Sequence, residues 1–232
     1  TLLGSLNCLL APSYDPLSLV ADLARFLNGA GGYLEQTSAY LDTGSAAAYA
    51  ALCQHSLLCT TLRSRLPLGE VAQQIVAASG RGPLQVIALG AGDGHSETQL
   101  VGHLLESGAS RIELCLLDIS QPLLTIGLHH ARDSLATFGN VSVWGIQGDF
   151  HKLSAYLPAL RSTKQRQRVY CMFGNTFGNL DNVIRFLQSS FSAASSGDLL
   201  LLDVSLVRAP ASRPNEVLTK DPAFGSRPPE FR

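Results

Sequence analysis

A chain of 232 residues with 46% hydrophobic and 15% charged residues holds enough apolar material for one large domain, or one domain with a small subdomain, and too much for wholesale disorder. Its formal net charge of −1 gives no general pull toward nucleic acid or an anionic membrane. Five cysteines without a CxxC pair argue against a disulfide framework. Cys115 and Cys171 sit inside apolar runs, where a buried free thiol is expected, and the compartment reads as reducing and cytoplasmic. No apolar run approaches the roughly 20 residues of a membrane-spanning helix. The apolar Thr1–Leu10 lacks the basic start of a signal peptide, and a chain beginning with Thr1 is expected to continue upstream or to have been processed.

Residues 1–14 carry no clear pattern. Asp15-Pro16 opens a predicted helix, with Leu17, Val20, Leu23, Ala24 and Leu27 at helical spacing. The glycines from Gly29 to Gly32 end it. Tyr33–Leu66 reads as mostly helical, broken at Asp42-Thr43-Gly44-Ser45, and Pro67–Ser79 as a third helix. Residues 1–82 are therefore expected to form a helical N-terminal region.

From residue 84 the rhythm becomes strand, helix, strand, helix. The predicted strands are Leu84–Leu89, Ile112–Leu117, Val141–Ile146, Val169–Phe173 and Leu199–Val204. The helices between them are His95–Glu106, Pro122–Phe138, Phe150–Arg161 and Asp181–Ala194. This alternation predicts an α/β fold, a Rossmann-like, doubly wound, mostly parallel sheet over residues 83–207. The unalternated Leu199-Leu200-Leu201-Leu202 suits a strand covered on both faces. The Pro-rich 208–232 reads as an irregular tail. With five strands visible, the chain is expected to be a piece of a longer one, the tail leading to missing strands.

Chemistry gathers where these strands end. After the first, Gly90, Gly92 and Gly94 form a turn into a helix N-terminus, which offers free N–H groups to an anionic or carboxylate-bearing nucleotide-like ligand. The spacing differs from the GxGxxG dinucleotide fingerprint. The second strand ends at Asp118, placed to accept from both hydroxyls of a ribose, with Ser120 and Pro122 starting a helix behind it. Gly148-Asp149-Phe150 follows the third. Its acid suits an adenine amino group and its ring can pack on the base, although a Gly-Asp helix cap would look the same. After the fourth, Phe173–Leu180 carries two Gly and two Asn in a bent loop whose amides can hold a polar amine. Open α/β sheets bind ligands at this edge, so the four motifs face one crevice.

Other polar groups read as ordinary surface. His129 and His130 are neighbours on one helix and do not face one another as metal ligands, and no metal is expected. Arg161, Lys164, Arg166 and Arg168 read as a solvated loop. Tyr40, Tyr49 and His55 could cover a substrate, but packing is the commoner role for such residues. His95 borders the glycine turn.

Together, LGAGDGHSET, LLDIS, IQGDF and FGNTFGNL resemble a class I S-adenosyl-L-methionine-dependent methyltransferase, over roughly residues 84–204. More narrowly they resemble the histidine-specific methyltransferases of ergothioneine biosynthesis, on Gly148-Asp149-Phe150 and on Gly174-Asn175-Thr176-Phe177-Gly178-Asn179. The resemblance implies S-adenosyl-L-methionine as cofactor, with Gly90, Gly92 and Gly94 around its methionine part, Asp118 on the ribose, and Asp149 with Phe150 on the adenine. Ala91, Ile119, Gly148 and Phe173 complete the expected cofactor site. Asn179 is implied to contact an amino-acid substrate, and Asn175, Thr176 and Tyr40 are expected beside it. The implied activity is N-methylation of an amino acid, histidine-like, or a related small amine, with no catalytic acid–base pair assigned.

The chain also departs from that family. Ser96-Glu97 stands where a Lys is usual, and Asn175 where Ser is. Tyr40–Ser45 loosely matches a Tyr-Asp…Gly-Ser element. The Tyr-Tyr-Pro-Thr-Arg element that follows it in the family is replaced by Cys53–Thr60. Two alternatives stay open: aminopropyl transfer, since Gly90–Gly94 is similar to the glycine-Asp loop of spermidine synthases, and a non-catalytic cofactor-binding scaffold.

Overall fold

The computed structural model describes residues 8–11, 40–55, 66–160, 166–174, 176–192 and 194–204, with single positions 17, 20, 21, 24, 25, 28, 29 and 63. Strands β1 (Cys8–Leu10), β2 (Leu84–Leu89), β3 (Ile112–Asp118), β4 (Val141–Gln147), β5 (Gln167–Met172) and β6 (Leu199–Leu202) form one sheet in the order β1-β4-β3-β2-β5-β6. Every neighbouring pair is parallel. The helices are α1 (Thr43–His55), α2 (Leu68–Ala78), α3 (His95–Glu106), α4 (Gln121–Ser134), α5 (Leu153–Leu160) and α6 (Val183–Ser190).

Alternation along the strands builds two cores. Val86 and Ala88 of β2 point to one face, with Leu114 and Leu116 of β3 and helices α2, α3 and α4. Ile87 and Leu89 point to the other, with Cys115, Leu117, Tyr170 and Met172 against α5 and Phe186 of α6. All six residues of β2 are buried, as a central strand covered on both faces should be. This is the doubly wound, Rossmann-like sheet expected from the alternation of elements.

The five predicted strands are present, and a sixth joins them. β1 lies in the unassigned residues 1–14, inside the stretch read as helical, and pairs Cys8, Leu9 and Leu10 with Gly145, Ile146 and Gln147 of β4. Its three residues are all exposed, so it leaves no apolar pattern to read. The chain remains beside the sheet through Ala11, whose N–H donates to Gln147 O at 2.9 Å.

Several helix limits shift. Phe150–Lys152 is a 3₁₀ turn before α5, and α6 begins at Val183, where Asn182 Oδ1 accepts from Arg185 N at 2.9 Å. Asn182 is the cap there: its extended backbone stands just outside the helix, and its side chain meets an N–H of the first turn that has no partner within the helix. The break expected at Asp42–Ser45 is the start of α1, whose Asp42 carboxylate accepts from Gly44 N (2.8 Å) and Ser45 N (3.0 Å).

The topology fixes where a ligand belongs. From β2 the chain runs outward through β3 to β4, then returns to β5 on the other side of β2. The crevice above the C-terminal ends of β2 and β5 is the switch point of the sheet.

Candidate functional site

A cleft of about 770 Å³, solvent at its mouth included, opens at that switch point. Four strand ends contribute to its walls. Gly90 and Gly92 follow β2; Asp118, Ile119 and Ser120 end β3; Phe150 and His151 follow β4; Gly174, Thr176 and Asn179 follow β5. Tyr40 and Tyr49 enter from the N-terminal region, with ring centroids 4.7 Å apart.

Asp118 ties two of these walls together. Its carboxylate accepts from Gly92 N at 2.8 Å and from Ser120 N at 2.8 Å. Ser120 in turn caps α4, its Oγ accepting from Leu123 N at 3.3 Å, and donates to the Tyr40 carbonyl. Asp118 is buried, and burial raises its pKa against the lowering effect of the Gly92, Ser120 and Ile119 N–H groups. A carboxylate has about four lone-pair positions, so two N–H bonds leave capacity on the cleft side.

Of the expected residues, Gly90, Gly92, Asp118, Ile119, Phe150, Thr176, Asn179 and Tyr40 meet in the cleft. Asn175 lies outside the described residues. Ala91, Gly94, Gly148, Asp149 and Phe173 are not among its lining. Gly94 has φ +67°, and a Cβ there would stand 3.1 Å from Gly127 Cα and 3.2 Å from Gly127 O. It is glycine so that the turn can lie on the backbone of α4. Gly94→Ala is expected to cost roughly 2–4 kcal/mol, from the left-handed backbone and the overpacking, read by chemical denaturation. A loss below about 1 kcal/mol would show that the turn relaxes around a methyl group. Gly148 is likewise a packing position: a Cβ would stand 2.9 Å from both Ala11 Cβ and the Tyr156 hydroxyl. Asp149 caps the 3₁₀ turn, Oδ1 accepting from His151 N at 2.9 Å.

Some residues around the cleft carry no readable signal in the sequence. Arg63 Nη2 donates to both oxygens of Asp93, at 2.8 and 2.9 Å, joining the N-terminal region to the glycine turn across thirty positions. Glu97 looks like a solvated helix residue, yet it is 4% exposed, and burial pushes its pKa up to about 8. His151 lines the cleft and stacks on Phe150, with centroids 4.8 Å apart. His95 stacks on His130 at 5.0 Å, and burial, then Arg63 and His130, lower its pKa.

The model of the histidine-specific, S-adenosyl-L-methionine-dependent methyltransferases matches residues 32–212. The chain belongs to that family. No curated protein matches it.

Among solved structures, the chain is similar to the plantazolicin methyltransferase BpumL, in complex with a pentazolic desmethyl-plantazolicin analogue and S-adenosylhomocysteine, with 14% identity, TM-score 0.47, and 71% of this chain and 55% of that one covered. It is also similar to magnesium protoporphyrin IX methyltransferase of Synechocystis PCC 6803 with bound S-adenosylmethionine (14% identity, TM-score 0.40, 90% and 85% covered). A third is a SAM-dependent methyltransferase of Aquifex aeolicus (15%, TM-score 0.42, 75% and 80%). The chain spans between 55% and 66% of the length of the first three structures it resembles.

The residues of the cleft fit the family's cofactor. A Cβ on Gly90 would stand 3.0 Å from Thr176 Cγ2 and 3.3 Å from Phe150 Cε1, so bare backbone keeps the cleft open between its walls. Asp118 offers acceptors at its floor and Phe150 a ring at its side. Among the described residues no group of His, Cys, Asp and Glu could hold a metal ion, and no helix is long and apolar enough to cross a membrane.

Proposed function

We propose that this chain methylates a nitrogen of an amino acid, histidine-like, or of a related small amine, with S-adenosyl-L-methionine as donor. The observation that carries the reading is the Asp118 carboxylate, which lines the cleft while fastening the glycine turn to the start of α4. It is assigned to the ribose hydroxyls, Gly90 and Gly92 to the methionine part, and Phe150 to the adenine, with the second oxygen of Asp149 on the adenine amino group. Ala91, Gly94, Gly148 and Phe173 support this site through the backbone they shape. Residues 83–207 would carry the cofactor, and residues 1–82 would cover the substrate.

When bound, the cofactor supplies an electrophilic methyl group on a sulfonium; the protein supplies alignment and electrostatics. Asn179, Thr176 and Tyr40 line the side of the cleft assigned to the acceptor, with Asn175 joined to them by sequence. A neutral amine needs no strong base to attack. Among the described lining residues the sole carboxylate is Asp118, whose oxygens already hold Gly92 and Ser120. No general base is assigned, and the turnover rate should rise with pH as the acceptor amine loses its proton. Cys53, Cys115 and Cys171 are buried and in no disulfide, which supports a reducing, cytoplasmic setting.

The test is mass spectrometry of the purified chain with methyl-labelled cofactor and a pool of amino acids and amines. One or more N-methylated products is the expected result. Cofactor binding without product across the pool would overturn the activity and leave a binding scaffold. An aminopropylated product from decarboxylated cofactor and putrescine would move the reading to that chemistry.

A further inference from the structure

The charges around the cleft are lopsided. Its described lining holds one carboxylate, Asp118, and the rings of Tyr40, Tyr49 and Phe150, with no Lys or Arg; His151 carries its one titratable nitrogen. The arginine that the N-terminal region brings close is spent, since Arg63 Nη2 donates to both oxygens of Asp93. Tyr49 stands directly against the glycine turn: a Cβ on Gly92 would lie 3.4 Å from its Cε1 and 3.6 Å from its hydroxyl. The Tyr40 ring leans on it at 53°. Burial, then Cys53 and Asp93, hold the Tyr49 phenol proton far above the usual range, so the ring stays neutral. Aromatic faces carry negative potential and attract cations, most strongly where water is thinned.

We propose that Tyr49, assisted by Tyr40, is a specificity residue that reads the positive charge of the cofactor. It favours the sulfonium of S-adenosyl-L-methionine over the neutral thioether of S-adenosylhomocysteine. The inference rests on the cofactor assignment of the preceding subsection and adds a role for Tyr49, which the proposed function leaves unused. The spent compound loses this attraction when the methyl group departs, so the cleft itself biases exchange of product for fresh cofactor.

The experiment is calorimetric titration of the purified chain with each compound, reading the ratio of the two dissociation constants. Tyr49→Leu keeps bulk and removes the ring; it is expected to shrink the preference for the sulfonium roughly five- to thirty-fold. Tyr49→Phe keeps the ring and should hold the ratio within about two-fold. Equal weakening of both compounds by Tyr49→Leu would make the residue a packing wall and overturn the proposal, as would an unmoved ratio. Should Tyr49→Leu lack a cooperative melt, Tyr40→Leu carries the test: a ratio reduced by about three-fold or more supports the proposal, and an unchanged one overturns it. A wild-type chain that binds neither compound sinks the cofactor assignment and this inference together. Binding of both with an unmoved ratio sinks this inference alone.

Discussion

Asp118→Ala is expected to weaken S-adenosyl-L-methionine binding at least about hundred-fold, since two charge-assisted hydrogen bonds of roughly 1.5–3 kcal/mol each are at stake. Asp118 is 6% exposed and lies in the cleft, and it also holds Gly92 N and Ser120 N, both at 2.8 Å. Its loss therefore acts in two ways: the ribose loses its acceptor, and the glycine turn loses its anchor. A cofactor analogue lacking the ribose hydroxyls separates them. If the carboxylate binds the hydroxyls, wild type and variant should bind that analogue with similar affinity. If the turn alone matters, the gap between them should persist. Calorimetry showing full affinity for the intact cofactor in a cooperatively melting Asp118→Ala protein would remove the ribose assignment.

Glu97→Gln should make the protein more stable than the wild type, by a margin that grows with pH. Glu97 is buried in the first turn of α3, just after the glycine turn; burial dominates its shift, and Asp93 and Asp118 add to it. Folding raises its pKa from an ordinary 4.5 to about 8, so the native state keeps a proton that the unfolded chain releases. The associated stability is whole below the ordinary value and is lost as pH climbs through that range. Each unit is worth about 1.4 kcal/mol, which makes several kcal/mol the order of the effect. Glutamine mimics the protonated acid at every pH. Thermal melts of the two proteins should nearly coincide at pH 5 and separate toward pH 9, at roughly 2–4 °C per kcal/mol for a chain of this size. Parallel curves across that range would mean that Glu97 ionises freely in the folded protein.

The sequence carried the site through local patterns. Gly90, Asp118, Phe150 and Thr176 each follow an apolar run, and a parallel sheet must gather such strand ends at one edge. What it hid was long-range. Nothing near Arg63 announces Asp93, and the pair exists because the glycine turn and the N-terminal region meet in space. Glu97 keeps the spacing of a solvated helix residue, yet α3 packs against both α2 and α4, and this leaves no exposed side at its first turn. At Gly94 and Gly148 sequence shows a glycine and not what a side chain would meet there. In both places it would meet protein: Gly127 in one, Ala11 and Tyr156 in the other. β1 was invisible because three exposed residues have no face to bury.

That small strand sets a schedule for the nascent chain. Cys8–Leu10 leaves the ribosome well before Gly145–Gln147, the residues it pairs with. At ordinary elongation rates the wait is on the order of ten seconds. The loop to be closed is long, and its entropy must be met before any ladder bond forms. Until then the outer edge of β4 presents unpaired N–H and C=O groups, a template that any neighbouring chain's Cys8–Leu10 fits as well as its own. Crowded polysomes should therefore favour strand-exchanged pairs, and dilution during synthesis should favour the single chain.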